Sequence, residues 1–454
     1  LETIATINRN DDQISFKTFS LTSKVQKIRF ISGFGPVDRL AGLLDGEFNF
    51  VLGEDGQIKQ ANTHVILSAG SILPKQGAMI IPINGIELIA RLDGSALEID
   101  RLAVDTLSHG QMALRGKLTL DNQLVPSVFE TQLQAEGLDN ALVMNLWPEQ
   151  LFPRTQSWIK THIAGGQVNS FYLNVGLDLK EDRIKPLFVE GGGMATTPRF
   201  YYMLDHQPIT DAKIGLNIEG TKLAGTTIDV TFNEATRNGI DIKGSKLTVN
   251  RKEDVADVAL AIMARGDFAD ITAVIDEPRF RVLSANGLLL DDVQGRVDIT
   301  GAVRWQLPQQ KRQMQPAEFD VKISASMEAA AMSGLPGDIT LSDGLINLQY
   351  NNRDIRIKGR GRINDAPANF YFHRDRQKNN FVDLTFTKSD ALTAMLNRSF
   401  PLELGGAVGG QIYIADPHQG DDLDIKFNLD LGDAHFYIPR LELTKLEGER
   451  ASVS

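Results

Sequence analysis

Seven histidines, at 64, 109, 162, 206, 373, 418 and 435, are the side chains best suited to hold a metal or to move a proton near neutral pH. Their spacing argues against both uses. No two of them stand three or four residues apart, no Glu-flanked pair occurs, and none clusters with carboxylates at metal-ligand spacing. The chain has no Cys, which removes thiolate nucleophiles, thiolate-bound metals and disulfides. Ser157 and Ser333 sit in no Gly-x-Ser-x-Gly elbow. The acid pairs Asp291-Asp292 and Asp421-Asp422 fall at strand-turn boundaries and read as solvated turn residues. Gly191-Gly192-Gly193 and the stretch Gly405-Gly406-Ala407-Val408-Gly409-Gly410 lack the Lys-Ser/Thr of a phosphate loop, so they read as turns or bulges. These residues predict no catalytic set, no metal and no cofactor.

Charge sets a second limit. A net charge of -11 and a pI near 5.2 argue against a nucleic-acid partner, which needs a concentrated basic face. One basic series does stand out. Arg353, Arg356, Lys358, Arg360 and Arg362 alternate with Ile355 and Ile357, which puts cations opposite an apolar face. A solvated strand face is the first reading, and a headgroup or partner contact the second.

The elements behind these residues are strands. Period-two alternation of apolar and polar residues recurs along most of the chain, the mark of strands with one apolar face. It runs through Phe48 and Phe50, through Phe171, Leu173, Val175 and Leu177, through Val297 and Ile299, through Phe319, Val321 and Ile323, and through Ile425, Phe427 and Leu429. Turn pairs such as Asp93-Gly94, Asn238-Gly239 and Asp343-Gly344 fall between runs. A one-sided sheet must fold on another sheet, close into a barrel, or curl around a ligand. Aromatic girdles of a membrane barrel and hexapeptide periods of a β-helix are both missing. The reading is a mostly β fold: a long curled antiparallel sheet forming an open hydrophobic groove, with the residues just named lining it. Some 30 strands at about 4.8 Å each make a trough on the order of 140 Å long.

An internal repeat organises these strands. Asp45-Gly46-Glu47-Phe48, Gly165-Gly166-Gln167-Val168, Gln294-Gly295-Arg296-Val297 and Gly409-Gly410-Gln411-Ile412 each open an alternating strand after a helical stretch. This predicts short helices near 36–45, 139–164, 267–284 and 389–399. It also divides the chain into an incomplete first repeat over 1–45, groove repeats over 46–165, 166–294 and 295–409, and the start of a truncated one over 410–454.

The most specific segment is Leu146-Trp147-Pro148-Glu149-Gln150-Leu151-Phe152-Pro153-Arg154, continuing through Trp158 to Gly165-Gly166-Gln167-Val168. A Trp-Pro motif, a second Pro at a helix start, Arg, Trp, and a helix ended by Gly-Gly before a Val-led strand resemble the central domain of the AsmA-like proteins, particularly the YhdP branch. The resemblance implies a periplasmic protein of a Gram-negative bacterium that carries phospholipid in a repeating β-groove. Its partners would be phospholipid, the inner and outer membranes, and other periplasmic proteins. It brings no catalytic residues. The physics of the sequence agrees, because acyl chains need a continuous apolar surface and little else. Trp147 and Trp158 themselves read as core packing.

No stretch reaches the roughly 18 apolar residues of a membrane span. The chain has no initiator Met and no signal peptide, so it reads as a middle segment whose inner-membrane anchor, an N-terminal helix, lies outside it. The runner-up function is an assembly factor for outer-membrane components that pairs sheet edges with client proteins by β-augmentation. An enzyme acting on polysaccharide comes third, without residue-level support.

Overall fold

The computed structural model describes residues 6–10, 13–20, 23–28, 37–52, 58–74, 80–121, 125–146, 153–179, 185–201, 207–221, 225–252, 255–277, 283–284, 289–307, 319–335, 339–399, 403–416, 424–438, 443–449 and 452–453. In chain order these form β1 (Thr6–Asn10), β2 (Gln13–Ser20), β3 (Ser23–Ile28), β4 (Val37–Leu52), β5 (Ile58–Pro74), β6 (Ile81–Asp93), β7 (Ala96–Thr106), β8 (Gln111–Leu120) and β9 (Pro126–Asp139). Then come α1 (Asn140–Leu146), α2 (Pro153–His162), β10 (Ile163–Ala164), β11 (Gln167–Asp178), β12 (Lys185–Phe200), β13 (Ile209–Thr221), β14 (Gly225–Arg237), β15 (Ile240–Asp241), β16 (Lys246–Lys252) and β17 (Val255–Asp267). The remainder is α3 (Phe268–Ile275), β18 (Asp291–Leu307), β19 (Asp320–Leu335), β20 (Ile339–Asn351), β21 (Asp354–Ile363), β22 (Ala366–Arg374), β23 (Asn380–Ser389), α4 (Asp390–Ser399), β24 (Glu403–Asp416), β25 (Asp424–Ile438), β26 (Leu443–Lys445) and β27 (Ser452–Val453). With 78% strand and 9% helix among the described residues, the fold is mostly β, and its helices can only be accessories to sheet.

Two compact units result, one of Leu1–Ala235 with Leu247–Asp257, the other of Thr236–Lys246 with Val258–Ser454. In the first, β4 to β9 and then β11 to β13 pair antiparallel, each with its neighbour in this series. In the second, β18 to β25 do the same.

Each unit curls for a reason that its core makes visible. Twelve buried residues of the second unit form one cluster: Leu392 and Leu396 of α4 with Ala330, Leu341, Ile346, Ile363, Ala366, Ala368, Phe386, Val408, Leu431 and Ala434 from seven consecutive strands. Seven flat strands span roughly 30 Å, about three times the width of a helix. They share one core with α4 only if the sheet bends around it. In α4 the four-residue spacing of Leu392 and Leu396 puts both on one face. Ser389 starts the helix by accepting the Leu392 amide at 3.2 Å, and Thr393 donates to the Gly406 carbonyl at 2.6 Å. In the first unit α1 plays the same part, with Leu142 packed among Leu67, Ile72, Ile81, Ile83, Val104, Ala135 and Leu138. The third such helix, α3, buries Phe268 and Ile271 against Ile240, Val297 and Ala325.

Several expectations need correction. Residues 37–45 are strand, not helix. The run from Val37 to Leu52 pairs with β5 along its length and with β2 and β3 on its other edge, and this two-sided ladder outweighs its weak helical pattern. Gly46 therefore lies inside β4. The helix expected over 139–164 is two helices, α1 and α2, and the one expected over 267–284 ends at Ile275. Helix α4 matches 389–399 closely. The blocks that recur are strand, helix, strand, with helices starting at Asn140, Phe268 and Asp390, 128 and 122 residues apart.

The glycine-rich stretches are strand interiors. Gly191, Gly192 and Gly193 sit in the middle of β12, where a Cβ would press on Leu173, Tyr172 and Phe171 of β11. Gly405 to Gly410 lie in β24, with a register shift between Ala407 and Gly409 and Gly406 at φ +79. Asp343-Gly344 is likewise not a hairpin turn but an irregularity inside β20, with Asp343 at φ 51. Asp93-Gly94 and Asn238-Gly239 do fall at strand ends.

Two side chains tie strands together, one to its neighbour and one across it. The Phe370 ring lies over Gly359, where a Cβ would stand 2.5 Å from its Cζ and 2.8 Å from the Leu345 carbonyl oxygen. Lys388 at the end of β23 reaches past Gly409 to Asp430 and Asp433 of β25, 3.1 Å from each. Hydrogen bonds donated to the Asp433 and Asp430 carboxylates hold the Lys388 ammonium above its ordinary range. The Gly432 amide and Lys388 hold the Asp430 carboxyl below its own.

Gly359→Val should destabilise the second unit by about 1–3 kcal/mol through overpacking, read as a lower urea midpoint, and Phe370→Ala in the same chain should recover part of the loss. For the strap, the depressed Asp430 contributes above its ordinary carboxylate range and loses that contribution as pH falls through its lowered value. Lys388, raised, contributes below its ordinary range and loses it as pH rises through its higher value. The urea midpoints of wild type and Lys388→Gln should therefore differ most between about pH 5 and about pH 9, and converge on either side.

Candidate functional site

Register turns the alternation into continuous rows. In the second unit Ile299, Ala325, Leu348, Ile357, Phe372, Val382, Ile414 and Ile425 face one another in sequence across eight strands. The neighbouring row is Val297, Met327, Ile346, Gly359, Phe370, Leu384, Ile412 and Phe427. Neither row contains a polar side chain. The first unit repeats the arrangement from β5 to β13 in Leu67, Ile86, Val104, Met112, Ala135, Phe171, Gly193 and Leu216, and in Val65, Leu88, Leu102, Leu114, Leu133, Leu173, Gly191 and Ile218.

The reverse face is polar. Between the two apolar rows of the second unit run Asp298, Ser326, Asn347, Lys358, Tyr371, Asp383, Tyr413 and Lys426. In the first unit this face carries a charge ladder: Arg91 on Glu98 and Asp100 at 3.0 and 3.2 Å, Arg101 on Glu87 at 2.9 Å, and His64 on Glu87 at 3.1 Å. Such pairs are solvent-exposed and contribute little to stability. They keep the reverse face wet.

In the second unit, burial falls along the apolar face from the helix-covered part to the last strand. Val297 is 1% exposed beside α3, whereas Ile425 and Phe427 at the far strand are 52% and 50% exposed. Phe372, Val382 and Ile414 between them are half-buried. On β22 to β24 the apolar strip is bounded by α4 on one side and on the other by a polar row, in which Arg374 donates to Asn380 at 2.9 Å and Asn380 to Asp416 at 3.0 Å. The two rows between them make a band roughly 14 Å wide.

The expected groove residues divide accordingly. Phe171 and Leu173 are half-buried and lean across Gly193 and Gly191, while Val175 and Leu177, at 6% and 7% exposure, are packed rather than solvent-accessible. Val297 is core. Ile299, Val321, Ile323 and Leu429 are half-buried on the apolar face, Phe319 packs against Trp305 with the rings tilted at 43° and their centroids 5.9 Å apart, and Ile425 and Phe427 are exposed. Phe48 and Phe50 stand in β4 opposite Thr63 and Ala61. Trp158 corrects the expectation of core packing: it is 46% exposed, stacked on His162 at 4.7 Å. Trp147, His206 and His418 lie outside the described residues.

The remaining histidines are dispersed. His109 meets Asp139 at 2.5 Å, His373 meets Asp354 at 3.2 Å, and His435 lies over Gly405. His373 and Arg356 hold the Asp354 carboxyl below its ordinary range. Among the described residues no group of three or more His, Asp or Glu side chains is arranged to hold a metal ion, and no helix is long and apolar enough to cross a membrane. Comparison with known proteins returns no matching family model, no matching curated protein and no matching solved structure.

The burial gradient makes a direct test. Val175→Asp places a carboxylate in a packed site and should cost several kcal/mol, on the order of 3 or more, whereas Phe427→Asp keeps its charge hydrated and should cost about 1 kcal/mol. Equal losses in chemical denaturation would mean that the face around Phe427 is covered.

Proposed function

We propose that this chain carries phospholipid along its apolar face, as a segment of a bridge-like conduit across the periplasm between the inner and outer membranes. One observation carries the reading: uninterrupted apolar rows cross eight strands and end in side chains that are half-exposed to water. Where it is exposed, a row of this kind offers acyl chains van der Waals contact and no polar group to desolvate. Exposed apolar surface on this scale needs a partner. The resemblance of the Trp-Pro segment to the AsmA-like proteins supports phospholipid as that partner. On this reading the protein works in the periplasm, tethered to the inner membrane by a helix outside this sequence, and catalyses no reaction. Headgroups need no pocket here, since the polar row of Arg374, Asn380 and Asp416 borders the apolar band and leaves them in water.

Protein purified without detergent should release phospholipid on organic extraction, at more than one molecule per chain by mass spectrometry. A photoreactive residue in place of Phe427 should capture lipid, and one in place of Lys426, on the reverse face, should not. Lipid-free protein, or equal labelling at both positions, overturns the proposal.

A further inference from the structure

The basic series on β21 forms a ladder on the polar face. Arg356, Lys358, Arg360 and Arg362 occupy alternate positions of the strand and are all exposed. Arg356 is engaged by Asp354 at 3.0 Å. The other three have no ion pair or hydrogen bond among the described residues. Their cross-strand neighbours are all uncharged: Asn347 and Tyr371 beside Lys358, Leu345 and Asn369 beside Arg360, Ser342 and Pro367 beside Arg362. Several other cations of the polar faces meet carboxylates, as Arg91, Arg101, Lys117, Lys213 and Lys388 do. Three consecutive unpaired cations repel one another, and no directly paired cross-strand acid offsets the repulsion in a chain whose net charge is -11.

We propose that this ladder docks an extended acidic segment of a partner protein, lying along β21 across the sheet face. The geometry favours a line over a plane. The cations recur every 6.8 Å or so along one strand, the repeat at which an extended chain presents alternate side chains on one side. The ladder is one strand wide, and Asp383 stands just beyond Tyr371 in the same row, so a broad anionic surface would meet a carboxylate next to it. Leu345 and Tyr371, 40% and 39% exposed, flank the ladder and offer apolar contact to the intervening side chains. Both edges of β21 are already paired, so recognition runs through side chains and not through strand addition. The lipid-bearing face is the opposite one. The two proposals can therefore fail separately.

The probe is a short fluorescein-labelled peptide alternating Glu and Thr, with a second peptide of the same composition whose glutamates form one block. Fluorescence anisotropy at low salt should show the alternating peptide binding more tightly, with affinity falling as salt rises. The triple variant Lys358→Gln, Arg360→Gln, Arg362→Gln should bind it roughly tenfold more weakly, as expected for three exposed ionic contacts. A charge-matched control, Arg91→Gln, Arg101→Gln, Lys117→Gln, should bind as wild type does. Both variants should keep the wild-type circular dichroism and lipid content, since every substitution lies on the polar face. Equal binding of the two peptides, or an equal loss in the control, overturns the proposal. So does binding of phosphatidylglycerol vesicles that requires the three cations and is not displaced by the alternating peptide, an outcome that would assign the ladder to a membrane surface.

Discussion

The constraint on which this fold depends is that an antiparallel sheet built from strictly alternating strands has one face that water disfavours. Each strand delivers its apolar residues to the same side, and register keeps them in line from one strand to the next. The cost of leaving such a face bare grows with every strand added. The protein meets part of it with short helices and meets the rest by curvature. Helix α4 is ten residues long, yet its Leu392 and Leu396 belong to a core shared by seven strands, which a flat sheet would not permit.

Cover from helices is local, and exposure in the second unit is correspondingly uneven. Near α3 and α4 the apolar face is as dry as an ordinary core, with Val297 and Val408 almost completely enclosed. Farther along the same rows Ile414, Ile425 and Phe427 emerge into partial exposure without any change in residue type. A sandwich would have enclosed these residues too. The difference between core and groove is thus one of position in the sheet, not of residue type.

This explains what was legible in the sequence. Side-chain alternation needs no tertiary information, so Phe171, Leu173, Val175 and Leu177 fall on one face, as their spacing requires. Which of them meets solvent depends on tertiary packing, and here the period is silent: Val175 and Leu177 are packed while Phe171 and Leu173 are half-buried. The segment from Val37 to Leu52 misled because Leu40, Leu43 and Leu44 have helical spacing, and only pairing partners on both edges make it a strand. Glycine misled differently. A glycine triplet suggests a turn, but in β12 it makes room for the side chains of β11, a relation between strands that no local window contains. Of the ladder on β21, the alternation of cations was readable; the lack of acids beside it was not, because cross-strand neighbours come from 345 and 371.

Pairing between chain neighbours also carries an evolutionary consequence. Nearly every strand in the two series bonds to the strand just before it and the strand just after it, and helices enter without disturbing that order, as α4 does between β23 and β24. Among the described residues, neither series shows a pairing that closes it and fixes its size. Duplication or loss of one strand-helix-strand block, some 120 to 130 residues, would leave the pairing on either side intact. Span then becomes a heritable dimension that can be adjusted in discrete steps, as the distance to be covered changes, without redesign of any one step.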